Sequence, residues 1–267
     1  MTKFLLSTVA IAALTTASFA ADLPSRKSPA EAPYVAVPMF TWTGFYVGGD
    51  IGGAWTNDGS RYRVTPAFVG PAPVGTLVAT SSMNSSGVVG GLFAGYNWQF
   101  SNAFVVGLEA DVEATSLSKN NANIQGVFAG VVGPIGFLNS EKLPWQGSAR
   151  ARLGYAAGNA LFYVTGGLAL AQIQTRYFNA NFNTTDSFSQ TRAGWTLGGG
   201  VEYAFNANWT ARIEYRYSQF GTIRDTLTNT TFPAGALAVS HPISENAVRV
   251  GIAYKFGAPA AAVVAKY

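Results

Sequence analysis

The chain contains no cysteine. That excludes a disulfide framework, a cysteine-ligated zinc site and thiol chemistry. Charge is scarce: Asp, Glu, Lys and Arg make up 11% of the 267 residues, against about a quarter in an ordinary soluble domain. Long apolar runs are missing as well. With 48% hydrophobic residues and a mean hydropathy of +0.17, the chain is too mild for a bundle of membrane helices, each needing about 20 consecutive apolar residues. The net charge of +4 and the pI near 9.3 suit a polyanion partner, but the basic residues are scattered and form no run. No nucleic-acid partner is expected.

What is present is alternation. The stretch NAVRVGIAYKF at 246–256 places Val248, Val250, Ile252, Tyr254 and Phe256 on one face. Ala247, Arg249, Gly251, Ala253 and Lys255 take the other. Successive side chains of a strand point to opposite faces, so this strand meets two unlike surroundings. The apolar face ends in aromatics, as at a membrane interface, and the charged face must meet water or partner charges.

The same pattern recurs upstream. Strands are predicted over 41–55, 87–100, 104–117, 145–155, 161–174, 192–205, 209–220 and 246–256. The intervening stretches 56–86, 118–144, 175–191 and 221–245 are long and rich in Gly, Pro, Ser or Asn, and read as loops. Those at 101–103, 156–160 and 206–208 are tight turns. Even strand number with long and short connections in alternation is the layout of an outer-membrane barrel. The expected fold is all-β: an eight-stranded antiparallel transmembrane β-barrel with long extracellular loops and short periplasmic turns. A soluble barrel of the same size would put its bulky apolar face inward. Here Trp, Tyr and Phe mark the ends of the apolar face, while charges and glycines share the other.

Around this domain, at 41–256, lie three other segments. Residues 1–20 have the order of a secretory signal: Lys3, an apolar core over 4–14, and the small residues Ser18 and Ala20 before a cut. Residues 21–40 form a Pro/Ala-rich linker with Pro24, Pro29, Pro33 and Pro38, expected in the periplasm as an extended tether. Residues 257–267 form a tail in which Gly257 and Pro259 break the strand.

The inward face carries the candidate site. Its acids are Asp50, Glu109, Asp111, Glu113, Glu202 and Glu214; its bases are Arg150, Arg152, Arg212, Arg216, Arg249 and Lys255. The two sets balance, the third strand being acidic and the fourth basic. With a simple turn at 206–208, Glu202 falls opposite Arg212. An eight-stranded barrel has room for side chains and little more, so paired long side chains would plug it. A charged lining is also what a selective pore uses.

The signal, the stretch ADLPSRK, the Pro/Ala linker, FTWTGFYVGGDIGGAW, LFYVTGGLALA and the closing VRVGIAYKF together resemble the outer-membrane immunogenic protein family of alphaproteobacteria, a group of opacity-type small barrels. The resemblance implies an outer-membrane location and a porin-like or peptidoglycan-associated surface antigen. It further implies outer-membrane lipid, lipopolysaccharide and the barrel assembly machinery as partners, with peptidoglycan reached through the linker. The simplest such barrels end on a terminal aromatic, here Phe256, whereas this chain continues to Tyr267.

Rival functions are a small ion or solute porin, and an adhesin or ligand-binding surface protein acting through 56–86 and 118–144. An enzyme is not expected: the single histidine, His241, lies beside Ser240 and before Pro242 in a predicted loop. Glu109, Asp111 and Glu113 would suit a cation, but the nearby arginines are the expected partners, so no metal is expected. Gly166-Gly167 reads as room for barrel curvature rather than a phosphate cradle, and no cofactor is expected.

Overall fold

A computed structural model of the chain describes residues 40–66, 73–74, 76–82, 84–100, 103–128, 131–180, 183–228 and 237–257. The expected signal segment, the linker up to residue 39 and the tail beyond Gly257 lie outside the described residues.

The described residues form eleven strands and no helix: β1 Gly44–Val64, β2 Leu77–Ser82, β3 Ser86–Gln99, β4 Phe104–Thr115, β5 Ser118–Phe128, β6 Val131–Lys142, β7 Trp145–Ala157, β8 Ala160–Asn179, β9 Thr184–Ala204, β10 Trp209–Leu227 and β11 Leu237–Lys255. All pairings are antiparallel. A closed ring runs β1-β3-β4-β7-β8-β9-β10-β11 and returns to β1. Closure leaves no unpaired edge, which a lipid environment demands.

The ring is inside out relative to a soluble protein. Leu92 and Leu168 are 69% and 68% exposed, while Glu109 and Arg150 are 3% and 2% exposed. The apolar belt is bounded by aromatics. At the end with short turns, Phe45 meets Phe256 at 5.7 Å, Phe104 meets Tyr155 at 5.8 Å and Trp209 meets Tyr254 at 5.2 Å. At the other end stand Trp55, Trp145 and Trp195, the last 5.4 Å from Tyr217. The ten residue steps from Phe45 to Trp55, at about 3.3 Å each and tilted by about 40°, span roughly 25 Å, the height of an outer-membrane apolar band.

The stretches expected as loops are largely strand. β1 continues to Val64, β8 to Asn179 and β10 to Leu227, and β9 and β11 begin at Thr184 and Leu237. β2, β5 and β6 fill the gap between the tops of β1 and β8. Together they form a collar above the girdle of Trp55, Trp145 and Trp195. The physical reason is a change of solvent. Above the membrane the outer face is wet, so the apolar residues turn inward, as Tyr62, Val64, Ile173 and Tyr177 do, while Arg61, Arg63 and Arg176 point out. Apolar-out alternation stops at the membrane surface, but the strands continue.

Candidate functional site

Pleating alone puts the charged residues in the lumen. Asp50 comes from β1, Glu109, Asp111 and Glu113 from β4, and Arg150 and Arg152 from β7. Glu202 comes from β9, Arg212, Glu214 and Arg216 from β10, and Arg249 from β11. Glycine makes room for them: a Cβ on Gly52 would lie 2.8 Å from Arg249 Cα.

Arg150 is the hub. Its Nη2 donates to Glu109 Oε1 at 2.5 Å and lies 3.3 Å from Asp111 Oδ2; its Nη1 donates to Glu214 Oε1 at 2.7 Å and Thr165 Oγ1 at 3.1 Å. Arg212 reaches across the lumen to Glu109 Oε2 at 2.7 Å and Asp50 Oδ2 at 3.2 Å, its guanidinium 3.4 Å from the Phe93 ring centroid. Arg216 Nη1 donates to both Asp111 oxygens at 3.0 Å, and its Nη2 pairs with Glu113. Arg249 pairs with Glu113 and lies 3.6 Å from Glu245. Arg152 pairs with Glu202 and lies 3.8 Å from the Tyr163 ring centroid.

One expectation holds here and two are corrected. Glu202 does lie opposite Arg212 in the backbone register. Their side chains nevertheless choose other partners, Arg152 for Glu202 and Asp50 with Glu109 for Arg212. Lys255 stands apart from the acids. It donates to the Thr41 carbonyl at 2.6 Å and lies 4.9 Å from the Phe40 ring centroid, at the periplasmic mouth. Glu245, assigned to a loop from sequence, joins the network, where Gln146 donates to both Glu113 and Glu245 at 2.9 Å. Among the described residues, the cluster thus holds seven carboxylates (Asp50, Glu109, Asp111, Glu113, Glu202, Glu214 and Glu245) and five guanidiniums (Arg150, Arg152, Arg212, Arg216 and Arg249).

Sequence reasoning also missed the neutral members. Tyr46 donates to Glu109 at 2.8 Å and Tyr163 to Glu214 at 3.0 Å. The signal was available, since both sit at inward parity on their strands. Among the described residues, no three His, Asp or Glu side chains are placed to hold a metal ion.

Apolar layers lie on both sides of the charges. On the periplasmic side, Trp42 packs with Val105, Leu161, Tyr163 and Ala204. Its backbone N–H donates to Gln99 Oε1 at 2.7 Å, and Phe40 meets its ring edge-on at 5.0 Å. On the outer side, Val89, Leu117, Leu143, Ile173, Phe220 and Ile243 form a second layer. Higher in the collar, Tyr62, Tyr177, Leu237 and Val239 form a third.

The chain matches the family model "Outer membrane protein beta-barrel domain" over residues 7–256. It is 34% identical to the 31 kDa outer-membrane immunogenic protein of Brucella melitensis, over 96% of this chain and 100% of that one. It is 30% identical to the 25 kDa outer-membrane immunogenic protein of Brucella abortus, over 90% of this chain and 91% of that one. These relatives are named as outer-membrane proteins, not as enzymes. Among solved structures, the outer membrane protease OmpT of Escherichia coli superposes with a TM-score of 0.50 at 8% identity, over 79% of this chain and 97% of that one, a likeness of fold alone. The inverted barrel, its aromatic girdles and these relatives together place the chain in the outer membrane, as a member of the outer-membrane β-barrel family that includes the Brucella immunogenic proteins.

Proposed function

We propose that the protein is a closed outer-membrane barrel with a structural role, presenting its collar at the cell surface as an antigen. The observation that carries this reading is the stacking inside the barrel. An apolar layer at Trp42, the ion-paired layer around Arg150 and an apolar layer at Leu117 and Ile243 lie in series, so an ion would have to displace all three. The immunogenic relatives support the surface role. The reading contains no enzymatic step. On β11, His241 is buried toward the lumen and lies 3.5 Å from Asp225, while Ser240 takes the opposite face of the strand. Serine and histidine are thus kept out of each other's reach.

The test is single-channel recording of the refolded barrel in a planar bilayer. Wild type should give no steady conductance. Arg212→Ala and Glu214→Ala should give none either, because both act on the middle layer only. Steady ohmic channels from wild type, with an ion preference that changes in these variants, would make the protein a small porin instead.

A further inference from the structure

We propose that the outer wall of the collar binds the phosphorylated sugar headgroup of an outer-leaflet glycolipid, with Lys142 and Arg176 as its cations. Strand register assembles the site. Asn120 faces Ser140, Ser140 faces Arg176 and Arg176 faces Ser187 across β5, β6, β8 and β9. One row nearer the membrane, Lys142 faces Gln174. These side chains line one outward groove, and among the described residues that groove contains no carboxylate. Ser140 already donates to Asn120 Oδ1 at 2.9 Å, so the hydroxyl and amide groups are held in place.

Depth identifies the occupant. Gln146 pairs with Ala171, which sets Trp145 opposite Gln172 and, for strands tilted by about 40°, within about 3 Å of it in height. Gln174 and Arg176 follow on the same strand face, roughly 5 and 10 Å above the level of Trp145 for a rise near 2.5 Å per residue along the membrane normal. The headgroup zone on each side of a bilayer is about 5–8 Å thick. Lys142, in the row of Gln174, therefore lies among the lipid phosphates and their sugars, and Arg176, rooted just above that zone, has a side chain long enough to reach down into it. A guanidinium recognises phosphate with paired N–H donors, an ammonium adds a point charge, and the hydroxyl and amide groups suit sugar hydroxyls. The basic row Arg61, Ser240, Arg224 on the opposite wall begins six residues above Trp55 and is too high for the same contact. The inference rests on placement in the outer membrane and not on closure of the lumen, so a conducting wild type would leave it intact.

The test is native mass spectrometry of the full folded chain, titrated with diphosphoryl lipid A, dephosphorylated lipid A or inorganic phosphate. Fold is checked by heat-modifiable gel mobility. At about 1 kcal/mol per basic residue near an anionic surface, Lys142→Gln with Arg176→Gln should weaken diphosphoryl lipid A binding about tenfold or more. Arg224→Gln should leave it unchanged, and the charge-keeping pair Lys142→Arg with Arg176→Lys should restore it. Dephosphorylated lipid A should not tell the double variant from wild type. Equal retention of diphosphoryl lipid A by the double variant and wild type would overturn the proposal. So would inorganic phosphate alone binding as tightly as the lipid.

Discussion

Arg150 touches Glu109, Asp111 and Glu214 at once, and its side chain is fully buried. Taking away one partner of a buried ion pair leaves charge without compensation, at a cost of about 3–5 kcal/mol. Arg150→Met keeps much of the volume and removes the charge, leaving three carboxylates to share Arg212 and Arg216. Its denaturant midpoint in lipid vesicles should fall accordingly. Lys255→Met, which loses a hydrogen bond to Thr41 and a ring contact to Phe40, should cost only about 1 kcal/mol. Equal losses would mean that the ion pairs do not hold the lumen together. Pleat parity alone identifies these arginines and most of their acids as inward. It does not identify partners. Arg212 and Glu109 stand 103 residues apart in sequence and meet across the lumen, a contact set by barrel closure and stagger that no local pattern records.

Along a single strand, β10 shows why the upper half of the barrel is harder to read than the lower. From Thr210 to Phe220 the even positions are buried; from Ile223 to Leu227 the odd positions are. The switch is a bulge, where the register with β11 shifts between Gln219 and Thr222 and Gly221 takes a φ of 75°. A bulge of this kind inserts an unpaired residue and re-aims the strand. From sequence, the break in alternation at Gly221 reads as the start of a loop. In the collar as a whole the polarity of the two faces also reverses, so a search for apolar-out strands ends at the girdle. Gly221→Val would force a β-branched residue into the left-handed region, at a cost of at least about 1–2 kcal/mol. The expected outcome is faster deuterium exchange at 222–227 and in the facing part of β11 around Val239. Strand β10 below Tyr217 should keep its protection. Loss of protection along the whole of β10 would mean that ring and collar unfold as one unit.

For the whole molecule, the pairings divide the structure into two tiers with different solvents. The ring must satisfy every backbone group within lipid, and its pairings do not involve β2, β5 or β6. The collar stands in water, where an exposed strand edge can hydrogen-bond to solvent. The β5–β6 hairpin should therefore be dispensable for membrane folding. Its ends are already adjacent, since the Leu143 N–H donates to the Leu117 carbonyl at 3.1 Å. Replacing 118–142 with Asn-Gly would close that gap with a two-residue hairpin turn. Such a deletion exposes the edges of β2 and the upper β8, and wets the apolar layer at Leu117, Leu143 and Ile173. It breaks no pairing of the ring. The shortened chain should fold into vesicles and keep its heat-modifiable mobility, with a lower denaturant midpoint. It should also lose binding of diphosphoryl lipid A, because Lys142 leaves with the hairpin. Failure to yield a folded, heat-modifiable species would show that the collar is needed to close the ring, and the two tiers would then be one cooperative structure.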